Sequence, residues 1–133
     1  MGWELHITRA ECWASNEDCQ ISSAEWLELI AEDDELFIDE INGQFHARWT
    51  GKSIHEEPWL DWYDGNIYTK HPDTALYCKM LQIAEELNAK VVDDDDRLYL
   101  LPSDLENPSW AESNKLKVKK SLLQKIINYI KKQ

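Results

Sequence analysis

Apolar and polar residues alternate at the start of the chain. Trp3, Leu5 and Ile7 are separated by single polar residues, and the alternation ends at Arg9. A period of two is typical of a strand that buries one face. Residues 3–9 are therefore predicted to form the first strand.

Three hairpins are predicted further along, where apolar segments flank turn sequences. An Asn-Gly pair readily adopts the two positive φ angles of a type I′ turn, and clusters of Asp, Asn and Gly favour turns in general. The predicted hairpins are residues 36–50, with a type I′ turn at Asn42-Gly43, residues 59–70, with a turn at Asp64-Gly65-Asn66, and residues 91–101, with a turn at Asp93–Asp96.

Two segments between these strands have the apolar spacing of helices. Ser22 and Glu25 have the spacing of a capping box, and the helix that they begin is predicted to end near Asp34. A longer helix is predicted over residues 73–89, directly after Pro72, with Lys79 on its polar side. The resulting order is β-α-β-β-β-β-α-β-β, which predicts an α+β fold of two helices packed on an antiparallel sheet.

The character of the sequence changes after Glu112, the last carboxylate residue. Residues 113–133 carry seven Lys, and from Lys120 onward the apolar residues fall on one helical face. We therefore predict an acidic domain over residues 1–112 and a basic amphipathic helix over residues 113–133. The apolar side of such a helix must be buried against another surface. The alternatives are its own acidic domain, a partner, a second copy in a homodimer and an anionic membrane surface.

Carboxylates dominate the charge of the chain. It has 133 residues, and 14 Lys and Arg against 26 Asp and Glu give a formal net charge of −12. Such an excess repels phosphate, which argues against a nucleic-acid binder and favours a basic partner. No segment has the roughly 18 apolar residues of a membrane span, and no signal peptide is recognisable, so a cytoplasmic protein without membrane contact is expected.

No catalytic, metal-binding or cofactor-binding motif is recognisable. His55-Glu56-Glu57 lacks the second His that would bring two imidazoles to one helix face, and Asp93–Asp96 lacks the spacing of a calcium loop. The three Cys have no CxxC spacing, so neither a zinc site nor a disulfide framework is predicted. We therefore expect a protein that is not an enzyme and that holds no metal or cofactor.

The residues that remain as candidates for function are carboxylates interleaved with aromatic residues, a pattern typical of a binding surface. Dense carboxylates attract a basic partner, and Trp and Tyr are common anchors of tight interfaces. The alternative interpretation is that the charges only solvate the protein and that most Trp fill its core. The candidate partner-binding residues are Asp33, Asp34, Glu35, Glu56, Glu57, Trp59, Asp61, Trp62, Asp64, Asp93, Asp94, Asp95 and Asp96.

Several segments of this chain resemble a family of small acidic bacterial proteins. The resemblance spans about residues 2–100 and rests on residues 2–10 (GWELHITRA), 25–27 (EWL), 59–67 (WLDWYDGNI), 80–84 (MLQIA) and 94–99 (DDDRLY). The family consists of immunity proteins of polymorphic and contact-dependent growth inhibition toxin systems. The resemblance implies a cytosolic protein that binds one cognate toxin domain and blocks it without turnover.

A nuclease-type toxin would give this acidity a physical reason. Its substrate groove must be basic, so an inhibitor can cover that groove by placing carboxylates where phosphates would lie. Two alternatives stay open at this point. One is a phosphate-mimicking inhibitor of another nucleic-acid-binding protein, and the other is a small enzyme with an unrecognised site.

Overall fold

The computed structural model describes residues 3–106, which form one antiparallel sheet with helices. The elements occur in the predicted order, so the α+β prediction is confirmed, and a short third helix follows the last strand. The predicted basic helix at 113–133, the boundary at residue 112 and a homodimer through that helix lie outside the described residues. The strands are β1 (Glu4–Thr8), β2 (Leu36–Ile38), β3 (Ala47–Trp49), β4 (Trp59–Tyr63), β5 (Asn66–Lys70), β6 (Lys90–Asp93) and β7 (Leu98–Tyr99), and the helices are α1 (Ser23–Glu32), α2 (Thr74–Glu86) and α3 (Ser103–Glu106).

The first strand of the chain lies inside the sheet. The strand order is β2-β3-β4-β5-β1-β6-β7, and all neighbours are antiparallel. Strand β1 therefore separates the meander β2 to β5 from the last hairpin, with Ile7 opposite Ile67 on one side and Val91 on the other. These apolar neighbours place the centre of the core on β1.

Both main helices cover the same face of the sheet. Leu5 and Ile7 of β1 point to this face and are fully buried, in one apolar cluster with Trp26 of α1 and with Tyr77 and Met80 of α2. The opposite face, here called the helix-free face, carries no helix within residues 3–106. Its residues include Glu4, His6, Trp59, Asp61, Tyr63 and Tyr68.

Both main helices begin at a capping side chain, and the cap of α1 is the predicted capping box. The backbone N–H of Glu25 donates to the hydroxyl of Ser22 at 3.0 Å, and the Glu25 carboxylate accepts from the Ser22 N–H at 3.1 Å. Asp73 caps α2 by accepting from the N–H of Leu76 at 3.1 Å. The same carboxylate accepts from Ser53, so the cap also fixes the loop between β3 and β4.

The tight type I′ turn occurs in the second hairpin. Asp64 and Gly65 have φ angles of +47° and +86° and join β4 directly to β5. The predicted type I′ turn at Asn42-Gly43 is wrong, because Asn42 does not have a positive φ. The Asp39 carboxylate instead accepts from the Asn42 side chain at 2.7 Å and from Arg48 at 2.7 Å, which holds a wider loop between β2 and β3.

Candidate functional site

Two groups of the predicted partner-binding residues lie on opposite sides of the molecule. Asp33, Asp34 and Glu35 lie beside the helices, whereas Trp59 and Asp61 lie on the helix-free face of the sheet. Because the sheet separates these sides, no single flat interface contains both groups. Each side is therefore described as a candidate surface of its own.

The first surface is an acidic groove between α1 and α2, here called the helix groove. Its volume is about 770 Å³, and Lys79 is the one cation among its lining residues. The apolar side chains of Leu29 and Leu87 also line it. Its carboxylates are those of Glu25, Glu28, Glu32, Asp33, Asp34, Glu35 and Glu86.

Lys79 lies in this groove together with Gln82 and Glu86, on the predicted polar side of the helix, but it is buried there. Its Nζ lies 2.8 Å from Oδ2 of Asp33 and 2.7 Å from Oε1 of Glu35. Burial alone would lower the pKa of Lys79, but the two carboxylates outweigh it and the pKa is raised. Burial likewise opposes the charge of Asp33, yet the hydrogen bond from Lys79 lowers its pKa.

The carboxylate of Glu35 has two donors within the chain. Lys79 contributes most to lowering its pKa, and the indole N–H of Trp49 donates to the same oxygen at 3.2 Å. Asp33 and Glu35 therefore hold the groove together as well as contributing charge. Asp34, which lies between them, is exposed.

A second ion pair closes the other end of α1. The guanidinium of Arg9 donates to both oxygens of Glu25, at 3.1 and 2.6 Å. Together with the cap at Ser22, this lowers the pKa of Glu25 from 4.5 to about 2. The segment after β1 is thereby fixed to the start of α1.

The second surface is a pocket on the helix-free face, here called the aromatic pocket, with a volume of about 370 Å³. Its wall includes the indole of Trp13, which stacks on the imidazole of His6 with ring centroids 3.9 Å apart and planes within 8°. Tyr63 is 73% exposed, so its ring stands at the rim. The lining residues are Glu4, His6, Trp13, Ala14, Tyr63, Asp64, Asn66, Tyr68 and Lys70.

The acidic turn between β6 and β7 supports the base of this pocket. Asp94 lies 2.9 Å from Nε2 of His6, and its carbonyl accepts from the indole N–H of Trp13 at 3.1 Å. Asp96 accepts from the backbone N–H of Trp13 at 2.9 Å. Asp95 is exposed, whereas Asp93 is only 3% exposed.

Asp93 fixes the conformation of the turn from inside the protein. Its carboxylate accepts from the N–H groups of Asp95 and Arg97, at 2.9 and 3.0 Å, and from the hydroxyl of Tyr99 at 3.2 Å. This predicted partner-binding residue is thus fully engaged within the chain. Sequence alone did not distinguish it from its three acidic neighbours.

Trp59 and Asp61 continue the helix-free face beyond the pocket. Trp59 stacks on His46, with centroids 5.2 Å apart, and meets Tyr68 edge-on at 5.5 Å. Asp61 lies 3.4 Å from Nδ1 of His46. Burial raises the pKa of the Tyr68 phenol, and the charges of Asp61 and Glu4 raise it further, which places negative potential at this point of the face.

The other predicted residues are spread over several environments. Glu56 and Glu57 are exposed in the loop before β4, and Glu57 pairs with Arg48 at 3.1 Å. Trp62 points to the helix-covered face, where its indole N–H donates to the carbonyl of Ile21 at 2.8 Å. Asp64 belongs to the tight turn at the edge of the aromatic pocket.

One group of possible metal ligands occurs within residues 3–106. Glu4, His6 and Asp94 offer three ligand atoms within 4.8 Å of one another. The contact between His6 and Asp94 accounts for this proximity as an ion pair or hydrogen bond, and closed structural zinc sites use four ligands. The expectation that the protein holds no metal stays a prediction.

Several residues of the two surfaces were not among the predicted ones. The carboxylates at positions 25, 28 and 32 had a signal in the sequence, namely their recurrence on one side of a predicted helix. No sequence signal identified His6 and Trp13, because the contact between them depends on how a loop folds back over β1.

Among residues 3–106, none of the helices combines the length and apolar character needed to cross a bilayer. No protein-family model, curated protein or solved structure matches this chain. The resemblance to immunity proteins therefore stays an expectation from the sequence.

Proposed function

We propose that this protein is a non-catalytic immunity protein that binds and neutralises one basic toxin domain, of nuclease type, in the cytoplasm. The observation that carries the proposal is the helix-free face, where Trp59, Tyr63 and Tyr68 lie next to Asp61 and Asp64. Aromatic anchors with carboxylates around them match a partner whose surface carries Lys and Arg.

The helix-free face fits a tight interface better than the helix groove does. Aromatic rings bury large area at little entropic cost, and interface hot spots are rich in Trp and Tyr. The helix groove has no aromatic residue among those lining it. Its carboxylates act at longer range, by attracting a cationic partner before contact.

The described lining of the aromatic pocket has no aliphatic hydroxyl and no thiol. No Ser, Thr or Cys is among its described lining residues, so the nucleophiles of the Ser-His and Cys-His arrangements are missing from it. His6 is 2% exposed, and its Nε2 is engaged with Asp94. These features favour a binding role for the pocket.

The experiment is isothermal titration of the full chain with the toxin domain encoded directly upstream of its gene. Trp59→Ala and Asp61→Lys are expected to weaken binding on the helix-free face, by about tenfold or more for an aromatic anchor. Asp34→Asn, on the exposed part of the helix groove, is the matched control and is expected to leave the affinity within about threefold. Failure of the unmodified chain to bind would remove the proposal.

The helix groove favours a second candidate function. Glu25, Glu28 and Glu32 follow one side of α1, and Glu86 faces them from α2, which gives a line of negative charge on a rigid element. Such a line can imitate a phosphate backbone for another nucleic-acid-binding protein. In that case Glu28→Gln and Glu32→Gln would abolish binding, and Trp59→Ala would leave it intact.

A further inference from the structure

The aromatic pocket has the composition of a site for an organic cation. Its lining combines the rings of Trp13, Tyr63 and Tyr68 with the carboxylates of Glu4 and Asp64. Aromatic faces attract a cation through their quadrupole, and carboxylates add ion pairs. An anion would meet repulsion from both, and a purely apolar group would leave the carboxylates without water or a partner.

The pocket is preformed by contacts that leave its interior accessible. Trp13 is fixed from behind by the His6 ring, by the Asp94 carbonyl and by the Asp96 carboxylate. On the opposite side, the turn at Asp64 is fixed by the side-chain amide of Asn16, which donates to the Asp64 carbonyl at 2.8 Å. A ligand would therefore bind without first reorganising the wall or the turn.

A cation already lies at the edge of this pocket. Nζ of Lys70 is 3.9 Å from Oε2 of Glu4, and the Lys70 side chain is 52% exposed. An exposed pair at this distance is weak, so a second cation can compete for Glu4. The position of Lys70 also shows that the carboxylate is accessible to a positive group from the solvent side.

We propose that the aromatic pocket takes one arginine side chain of a protein partner, with its guanidinium between the aromatic rings and the carboxylates of Glu4 and Asp64. Arginine is favoured over lysine because its planar, weakly hydrated guanidinium stacks on rings and pairs with carboxylates at the same time. The volume of about 370 Å³ accommodates such a side chain. The identity of the partner rests on the proposed function, whereas the chemistry of the pocket does not.

The test uses the full chain, labelled with ¹⁵N, and follows its NMR spectrum during titration with N-acetyl-arginine methylamide. The expected result is a saturable shift of the Trp13 indole signal and of the backbone signals of residues 63–70. The matched ligand is N-acetyl-citrulline methylamide, which has nearly the same shape without the charge. The citrulline compound is expected to bind at least about fivefold more weakly than the arginine compound.

Two variants, Tyr63→Ala and Glu4→Gln, connect this binding to the pocket, and a third serves as the control. Tyr63→Ala removes an exposed ring and is expected to weaken arginine binding about two- to fivefold, without unfolding the protein. Phe37→Ala removes another partly exposed ring, on β2 at the far edge of the sheet, and is expected to leave binding unchanged. Glu4→Gln removes a carboxylate charge from the pocket and is also expected to weaken arginine binding.

Equal binding of the arginine and citrulline compounds, shifts confined to α1 and α2, or an unchanged affinity of Tyr63→Ala would each overturn the proposal. Its failure is distinct from failure of the proposed function, which is measured with the toxin domain. Saturable arginine binding without toxin binding leaves the pocket assigned and removes the immunity role. Toxin binding without arginine binding supports the immunity role and removes the assignment of the pocket.

Discussion

Nζ of Lys79 lies 2.8 Å from Oδ2 of Asp33, which joins the second helix to the C-terminal cap of the first. Lys79 is 5% exposed, so this is a buried ion pair that spans the helix groove. Removing one partner of a buried pair leaves the other charge without compensation. The stability of the groove therefore depends on this contact.

Lys79→Met is expected to lower the free energy of unfolding by about 3 kcal/mol, the lower part of the range for a broken buried pair. Urea denaturation followed by circular dichroism measures this change. Asp34→Asn is the control, because Asp34 is exposed in the same groove, and a change within about 0.5 kcal/mol is expected. Equal effects of the two variants would contradict the structural role of Lys79.

The pKa of Glu25 makes stability depend on acid pH. A pKa that falls from 4.5 to about 2 on folding contributes stability that is fully present above pH 4.5 and is lost as the pH falls toward 2. An NMR titration of the Glu25 carboxyl measures this pKa directly. Arg9→Gln removes its largest cause, so in that variant the pKa is expected to rise toward 4.5.

Gly65→Ala is expected to destabilise the second hairpin by more than about 1 kcal/mol. Gly65 has a φ of +86°, and an added Cβ would lie 2.7 Å from the side-chain amide nitrogen of Asn16. Gly43→Ala is the comparison, because its φ is also positive but the nearest atom, in His46, is 3.7 Å from the added Cβ. Thermal unfolding of both variants should show the larger loss for Gly65→Ala.

Asp93→Asn is expected to cost about 1 to 3 kcal/mol of stability, because a buried acceptor of three hydrogen bonds is replaced by a group that also donates. Asp95→Asn, on the exposed part of the same turn, should change stability by less than about 0.5 kcal/mol. Denaturant unfolding distinguishes them. Loss of partner binding in Asp93→Asn would then reflect the turn, not a direct contact.

If the proposed toxin domain is the partner, electrostatic attraction by the helix groove predicts a strong effect of salt on their association. Raising the salt concentration from about 50 to 500 mM should lower the association rate roughly tenfold or more, with a smaller effect on dissociation. Stopped-flow fluorescence of the aromatic residues measures both rates. An unchanged association rate would exclude steering as the role of these carboxylates.

The order of the elements followed from local signals in the sequence, and the contacts at the two surfaces did not. The cap at Ser22 uses a side chain within three residues of the group that it binds, so spacing alone predicted it. The sequence placed Lys79 on the polar side of α2, but it did not reveal the burial of this side chain, because its partners come from the segment after α1. Trp13 reaches its partners only after β1 and the last hairpin have paired.

The place of β1 in the sheet has a consequence for how the protein is made. Among the described strands, β1 is synthesised before its neighbours β5 and β6, residues 66–70 and 90–93, which leave the ribosome much later. Long-range pairing of this kind slows folding, because closing the long intervening loop costs conformational entropy before the strands can pair. A nascent chain that ends before residue 90 lacks one neighbour of β1, so a truncated translation product would not complete the sheet.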